Sequence, residues 1–229
     1  MSAAVLHEPL TRSVEDYLKA IYRLSLRGRA ATNGDIAELL ELSAPSVTGM
    51  VKRLSEQGLL EHEAYKGVQL TAEGRRLALR MVRRHRILEA YLVAFLGYGW
   101  ERVHEEAERL EHAVSDQLIE QMARALGNPK FDPHGDPIPE ADGTIPELVC
   151  TPLADIPAGE TVEIRQADTR HPDRLRYIAS LGLIPGARVL VIDRQPFQGP
   201  ITIEVEGIRR VLGDEIARLL LCTGPEVAA

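Results

Sequence analysis

Thr32-Asn33-Gly34-Asp35-Ile36-Ala37-Glu38-Leu39-Leu40, followed by Ser43-Ala44-Pro45-Ser46-Val47-Thr48-Gly49-Met50-Val51-Lys52-Arg53-Leu54, is the stretch that decides how this chain folds. Ile36, Ala37, Leu39 and Leu40 recur at helical spacing behind a polar start. Pro45 stands where the first turn of a helix tolerates proline, and Val47, Met50, Val51 and Leu54 carry a second apolar stripe towards Gly58. Two short helices joined by a tight turn at 41–44 form a helix-turn-helix. Just upstream, Ser13-Val14-Glu15-Asp16 has the form of an N-cap with an acidic first turn, opening a helix that carries Tyr17, Leu18, Ile21, Tyr22 and Leu24 and ends near Gly28. Downstream, the runs 59–63 and 68–71 flank a turn at Ala64-Tyr65-Lys66-Gly67 and predict a small wing.

Beyond the wing the periodicity predicts a long helix from Ala72 to Phe95, a break at Gly97-Tyr98-Gly99, and a second helix from Glu101 to Leu126. Residues 127–139 hold too many prolines for a regular element. From Leu153 to Cys222 the period changes: 161–164, 188–192, 201–205 and 208–212 read as strands, with a helix around 174–181, which suggests a small β-barrel. The fold class is therefore mainly α with a small β domain. Its expected parts are a winged helix-turn-helix at 1–74, a helical domain at 75–145, a linker at 146–152 and a β domain at 153–229.

The chain has 229 residues, 45% hydrophobic and 27% charged, as an ordinary globular protein does, with room for two modest domains. There is no basic start followed by an apolar run, and no apolar run approaches the roughly 18 residues of a spanning helix, so a cytoplasmic protein without membrane contact is expected. Cys150 and Cys222 form no CxxC pattern and read as reduced thiols. The net charge of −7 is uneven: residues 1–86 carry 14 basic and 10 acidic residues, whereas 101–147 carry 4 and 12. The first segment suits a polyanion and the second suits cations.

In a helix-turn-helix the second helix presents its N-terminal residues to base edges in the major groove. Ser43, Ala44, Pro45, Ser46, Thr48 and Gly49 occupy those positions; they permit close approach and thymine-methyl contact but no bidentate arginine–guanine pair. Lys52, Arg53 and the wing residue Lys66 are candidate phosphate contacts.

The acidic helix contains His104, Glu108, Glu111 and His112 at i, i+4, i+7 and i+8, one stripe at about 100° per residue. His85 and Glu89 repeat the His/Glu spacing late in the preceding helix. Such a stripe is either a divalent-cation site or a solvated face; two paired sets on consecutive helices favour the cation, because closely placed carboxylates repel unless neutralised. Two enzyme templates fail. HExxH would need His where Glu108 stands, and the paired Glu-x-x-His repeats of di-iron bundles are absent.

Taken together, Val14-Glu15-Asp16-Tyr17-Leu18-Lys19-Ala20-Ile21-Tyr22, Ser43 to Thr48, Arg84-His85-Arg86, the set His104, Glu108, Glu111, His112, and Pro133-His134-Gly135-Asp136-Pro137-Ile138-Pro139 resemble the diphtheria toxin repressor family of metal-dependent transcriptional regulators. The remainder looks like the SH3-like C-terminal domain of longer members, related to ferrous-transport accessory domains. The resemblance implies a non-enzymatic homodimeric repressor of metal-uptake genes that binds double-stranded operator DNA when loaded with Mn²⁺ or Fe²⁺; other divalent transition metals would bind in vitro. Carried over, the primary site would use Asp16, Glu108, Glu111 and His112, and the ancillary site His85, Glu89 and His104; in some manganese-type members the His85 position joins the primary cluster. Asp16 and Glu108 replace the iron-type Met and Cys, leaving an all-N/O donor set that suits Mn²⁺. Lys19 stands where the manganese type has a Glu. His171 and Arg174 replace the C-terminal domain's Glu and Gln, leaving His171 as a candidate ligand. The alternatives are a winged-helix regulator of an organic ligand and a metalloenzyme.

Overall fold

The computed structural model describes residues 10–26, 28–63 and 67–223. Lys66 lies outside them. The chain divides into two compact units, residues 1–84 with 139–144 and residues 85–138 with 145–229.

The first unit opens with α1 (Arg12–Ser25), which buries Val14, Tyr17, Leu18, Ile21, Tyr22 and Leu24 on one face. Thr11, not Ser13, is its N-cap, because the Thr11 carbonyl already accepts from the amides of Val14 and Glu15. Next, α2 (Asn33–Leu40) starts with a capping box: Thr32 Oγ1 accepts from the Asp35 amide at 3.0 Å and the Asp35 carboxylate accepts from the Thr32 amide at 2.9 Å. The bidentate Arg29 guanidinium, with the Thr32 bonds, holds the Asp35 carboxyl well below the usual carboxylate range. Glu41, in the left-handed region at φ 54°, ends the helix. Ser43 then caps α3 (Ala44–Glu56), with Pro45 in its first turn. Strands β1 (Leu60–Glu63) and β2 (Gly67–Leu70) pair antiparallel as the wing, from Leu60 opposite Leu70 to Glu63 opposite Gly67.

The long helix α4 (Ala72–Leu96) follows, and the boundary between the units falls within it, after Arg84. Thr71 Oγ1 donates to the Gly58 carbonyl at 2.8 Å and accepts from the Gly74 amide at 3.1 Å. A Cβ on Gly74 would lie 2.0 Å from the Leu59 carbonyl oxygen, so only glycine allows α4 to begin against this turn.

In the second unit the single helix expected over 101–126 is two: α5 (Val103–Leu110) and α6 (Asp116–Ala125). The apolar period runs on through Val114 and Leu118, but Ser115 accepts from the Leu118 amide at 3.2 Å and restarts the helix, leaving a turn at 111–114. Ile87, Leu88, Ala107, Ile119, Ala123 and Ile138 form the core between these helices and the end of α4.

The C-terminal part contains β3 (Thr151–Pro152), β4 (Thr161–Ala167), α7 (Pro172–Ser180), β5 (Arg188–Arg194), β6 (Ile201–Val205), β7 (Ile208–Leu212), α8 (Asp214–Leu219) and β8 (Leu220–Cys222). Its six strands run β3-β8-β4-β5-β6-β7, every pair antiparallel. The expected closed barrel is instead an open, curled sheet. Bulges in β4 and β5 bend it, but β3 is two residues long and includes Pro152, which has no amide to donate, so closure onto the far edge strand β7 does not occur among the described residues. Ile164, Val189, Val191, Ile203 and Leu212 pack with Leu175 and Ile178 in a separate core. No described helix is long and apolar enough to cross a membrane.

The proline-rich segment is an ordered turn. Asp132 Oδ1 accepts from the amides of His134 (2.8 Å) and Asp136 (3.0 Å), which explains how so many non-helical residues keep one conformation. The turn is fixed to β4 by the Ala167 amide donating to the His134 carbonyl at 2.9 Å.

Gly74→Ala is expected to lower unfolding free energy by about 1–3 kcal/mol in urea titration, since the methyl cannot be housed without moving backbone. A change below about 0.5 kcal/mol would show that the start of α4 is not constrained as described.

Candidate metal centre and nucleic-acid interface

In the first unit α3 buries Val47, Val51 and Leu54 and exposes Ser43, Ala44, Pro45, Ser46, Thr48, Gly49, Lys52 and Arg53. All eight described residues predicted to meet DNA are therefore accessible. Thr48 Oγ1 donates to the Ala44 carbonyl at 2.9 Å and accepts from Asn33 Nδ2 at 3.2 Å, so α2 orients a side chain on the exposed edge of α3. Lys52 Nζ is 4.0 Å from Glu56 Oε1, an exposed pair that phosphate can displace at little cost.

In the second unit five of the predicted ligands converge. His85 and Glu89 lie one turn apart on α4, and α5 brings His104 and Glu108 against them. His85 Nδ1 donates to Glu111 Oε2 at 2.6 Å, which directs Nε2 towards Glu89 Oε1 (3.0 Å) and His104 Nδ1 (2.9 Å); His104 Nδ1 is itself 3.0 Å from Glu89 Oε1. Three atoms that bind metals thus form a triangle about 3 Å on a side. A neutral His85 offers only a lone pair here, and one N–H on His104 serves one edge, so a proton satisfies this triangle less completely than a cation would. Glu108 Oε1 lies 3.7 Å from His104 Nε2 and 3.9 Å from His85 Nδ1. It therefore faces the His85/His104 group. One ring nitrogen of His85 binds Glu111 and the other faces Glu89.

Glu111 and His112 follow the end of α5. Glu111 is fully buried, and its Oε1 is 3.5 Å from His112 Nε2. Asp16 sits half-buried on α1 in the other unit, 4.0 Å from Arg12. His171 is exposed at the N-cap of α7, followed by Pro172 in the first turn, and Arg174 pairs with Glu215; His171 enters none of the donor groups among the described residues.

Asp132 and His134 were not predicted as ligands. With Glu89 they form a second group whose donor atoms lie within 4.8 Å of one another, all buried. His134 Nε2 donates to the Trp100 carbonyl at 2.7 Å, so in the neutral ring Nδ1 carries a lone pair; it stands 3.6 Å from Glu89 Oε2. Neither atom has a hydrogen-bond partner, and Asp132 Oδ2 has none either. Arg86 Nε lies 3.8 Å from that oxygen. The available signal was Asp132-Pro133-His134-Gly135-Asp136, an alternation of acid and imidazole in a turn, which reads as loop composition unless metal ligands are sought off helices.

The electrostatics agree with a cation site. Burial works to raise the Glu89 carboxyl, but the surrounding imidazoles of His85, His104 and His134 outweigh it and hold Glu89 well below the usual carboxylate range. Burial lowers His104, favouring the neutral ring that binds metals. Burial and then the Glu89 charge push Asp132 up to about 6. Two buried carboxylates and the His134 Nδ1 lone pair are what a divalent cation satisfies, and the residues present fit one.

Residues 9–68 match the N-terminal DNA binding domain of the iron dependent repressors, residues 71–140 their metal binding and dimerisation domain, and residues 151–223 the FeoA domain. The chain is 35% identical over 215 residues to the iron-dependent repressor IdeR of Mycobacterium tuberculosis, covering 88% of this chain and 92% of IdeR. It superposes on a manganese-dependent transcriptional repressor in complex with manganese with a TM-score of 0.82 at 40% identity, covering 91% of this chain and 98% of that one. A structure of ScaR with bound Cd²⁺ gives a TM-score of 0.77 at 34% identity, with 92% and 98% covered. With such identity sustained along nearly the whole length, the chain belongs to the iron-dependent repressor family of metal-dependent transcriptional regulators, the family that includes the diphtheria toxin repressor.

Proposed function

We propose that this protein is a homodimeric repressor of metal-uptake genes whose binding to double-stranded operator DNA is activated by Mn²⁺, with Fe²⁺ as the second candidate. The observation that carries the reading is the triangle of His85 Nε2, His104 Nδ1 and Glu89 Oε1. Every donor around it is N or O, which suits Mn²⁺ by ligand hardness, while the affinity order among divalent metals leaves the cellular choice to availability. The 40% identity to a manganese-dependent repressor supports the same metal. Functionally we keep three parts: a DNA-binding head at 1–74, a metal-binding and dimerisation part at 75–145, and, after the 146–152 linker, the FeoA-like part at 153–229.

His85, Glu89, His104 and Glu108 would hold one cation; Glu111 and His112 would hold another with Asp16, whose membership rests on the family resemblance. Asp132 and His134 would complete a further donor set with Glu89. A bound cation supplies the positive charge that lets these carboxylates stay ionised and close together. The chain's own residues do the rest. Asp16 rides on α1, whose buried face packs within the head, so fixing α1 also fixes the mounting of α3. Two heads fit two half-sites only when their spacing matches the DNA repeat. The effector acts to the extent that it binds the DNA-competent arrangement more tightly. Dimerisation would use the exposed apolar side chains of Phe95 and Leu96 at the end of α4, Tyr98, and Leu118 on α6.

With a DNA site selected from a random library in Mn²⁺, Glu108→Ala and His112→Ala are each expected to reduce metal-stimulated binding at least about tenfold with the circular dichroism spectrum unchanged, a loss of about 1.4 kcal/mol. Full retention by both variants would refute the ligand assignment, and equal wild-type binding in chelator and in Mn²⁺ would return the organic-effector alternative. Lys52→Ala is expected to weaken binding to all sequences alike and to reduce the slope of log affinity against log salt by about one; an unchanged slope would remove it from the phosphate contacts. Leu118→Glu is expected to convert the dimer to monomer in sedimentation velocity; an unshifted dimer would place the interface elsewhere.

A further inference from the structure

Thr48 is exposed on α3, yet its hydroxyl is already committed. Oγ1 donates its one hydrogen to the Ala44 carbonyl at 2.9 Å and accepts from Asn33 Nδ2 at 3.2 Å. The other branch at Cβ is the methyl group. We propose that Thr48 reads a thymine of the DNA site through this methyl, that Asn33 is the positioning residue that holds the hydroxyl back, and that Gly49 leaves the helix surface beside it bare so that the base edge can close on it.

A hydroxyl whose hydrogen is committed cannot donate to the acceptors of a base edge, which are the purine N7, guanine O6 and thymine O4. Its remaining lone pair could accept only from the amino group of adenine or cytosine. The two bonds, however, draw Oγ1 back one turn to Ala44 and across to α2, so the oxygen lies against protein and the branch left to meet the groove is the methyl. Its complement there is the C5 methyl of thymine, which no other base of DNA carries on that edge. Helical threonine divides between two χ1 rotamers, because Oγ1 can reach a backbone carbonyl of the preceding turn. The Asn33 amide selects one of them, so the side chain is fixed before DNA arrives and loses less freedom on binding.

Asn33 is well placed for this task. It is the first residue of α2, where the capping box of Thr32 and Asp35 fixes the backbone, and Arg29 holds Asp35 with two bonds of 2.8 and 2.9 Å. Asn33 Oδ1 is buried without a hydrogen-bond partner, so the bond to Thr48 is what sets the amide's orientation among the described residues. A buried acceptor left unmet costs the fold stability, the mark of a side chain held for another purpose. Gly49 is an independent sign. Pro45, Gly49 and Lys52 lie at i, i+4 and i+7, on the side of α3 opposite the buried Val47, Val51 and Leu54. A Cβ on Gly49 would meet nothing within 4 Å among the described residues, and the backbone there is ordinary helix, so nothing in the fold calls for glycine. Glycine inside a helix is destabilising relative to alanine, and the missing side chain is explained by what approaches from outside.

This role of Thr48 rests on the metal-activated DNA-binding reading, and the probes separate the two. Full-length protein in Mn²⁺ is titrated against the duplex selected from a random library, and against copies in which each thymine in turn is replaced by deoxyuridine. That base lacks the C5 methyl and keeps every hydrogen-bonding group. For the wild type, one such replacement in each half-site is expected to weaken binding about fourfold, the worth of burying one methyl group. Thr48→Ser keeps the hydroxyl and loses the methyl, and is expected to bind the thymine and deoxyuridine duplexes alike. Thr48→Val keeps a methyl and loses the hydroxyl, and is expected to discriminate as the wild type does. Asn33→Ala is expected to shrink the discrimination in the Thr48 protein and to leave it untouched in Thr48→Val, a split that a general packing defect does not produce. Gly49→Ala is expected to weaken binding to both duplexes at least about fivefold with the thermal midpoint equal or higher, because the added methyl crowds the base edge. Discrimination kept by Thr48→Ser and lost by Thr48→Val would show that the oxygen does the reading and would overturn the proposal. Indifference of the wild type to every deoxyuridine would overturn it too, as would wild-type behaviour of Asn33→Ala or of Gly49→Ala. In each of those cases Mn²⁺-stimulated binding to the selected duplex leaves the metal-activated reading standing, whereas no binding in Mn²⁺ would refute both.

Discussion

A carboxylate sealed from water among imidazoles is the constraint on which the second unit turns. Glu89 sits on α4 between the Ile87–Leu88 core and the incoming α5, and its charge is tolerated there only because His85, His104 and His134 surround it. Each of those rings is aimed by a separate bond: His85 by Glu111, His134 by Trp100, and His104 by Glu89 itself. Removing one partner of such a buried network leaves the others unsatisfied, so the residues form a unit rather than a set of additive contacts. A sensor needs this property, because an effector can shift an equilibrium only by the difference in its affinity for two arrangements.

Much of the architecture was legible because local signals agreed with tertiary ones. The capping box of Thr32 and Asp35, Pro45 in the first turn of α3, and the antiparallel strands of the wing all match what the sequence pattern demands. The reading failed where two signals competed. Over 101–126 the apolar period runs on past Leu110 and hides the start signal at Ser115, a single N-cap residue followed by an acid. Strand content and spacing say little about whether the last edge closes on the first, and among the described residues β3 and β7 do not pair.

Of the candidate site, the helical His/Glu pairs could be found by spacing, and five of the residues so found, His85, Glu89, His104, Glu108 and Glu111, meet. Asp132 and His134 could not, because a turn has no period from which to infer that two side chains share a target; only the folded contact with Glu89 reveals them. His171 follows from correspondence with a family position; it is exposed at the N-cap of α7 and joins none of the donor groups found among the described residues.

Glu111 caps the end of α5 with its amide on the Ala107 carbonyl, and its Oε1 lies 3.5 Å from His112 Nε2. The contact of Gly135 with the Arg165 carbonyl differs in kind from the polar bonds beside it. The Arg170–Asp136 pair weakens as salt screens it, whereas repulsion between abutting backbones has no such dependence. The turn that carries His134 is thus seated on β4 by a hard stop as well as by charge, so the distance from sheet to imidazole is set mechanically and holds across changes in ionic strength that would slacken an electrostatic tether.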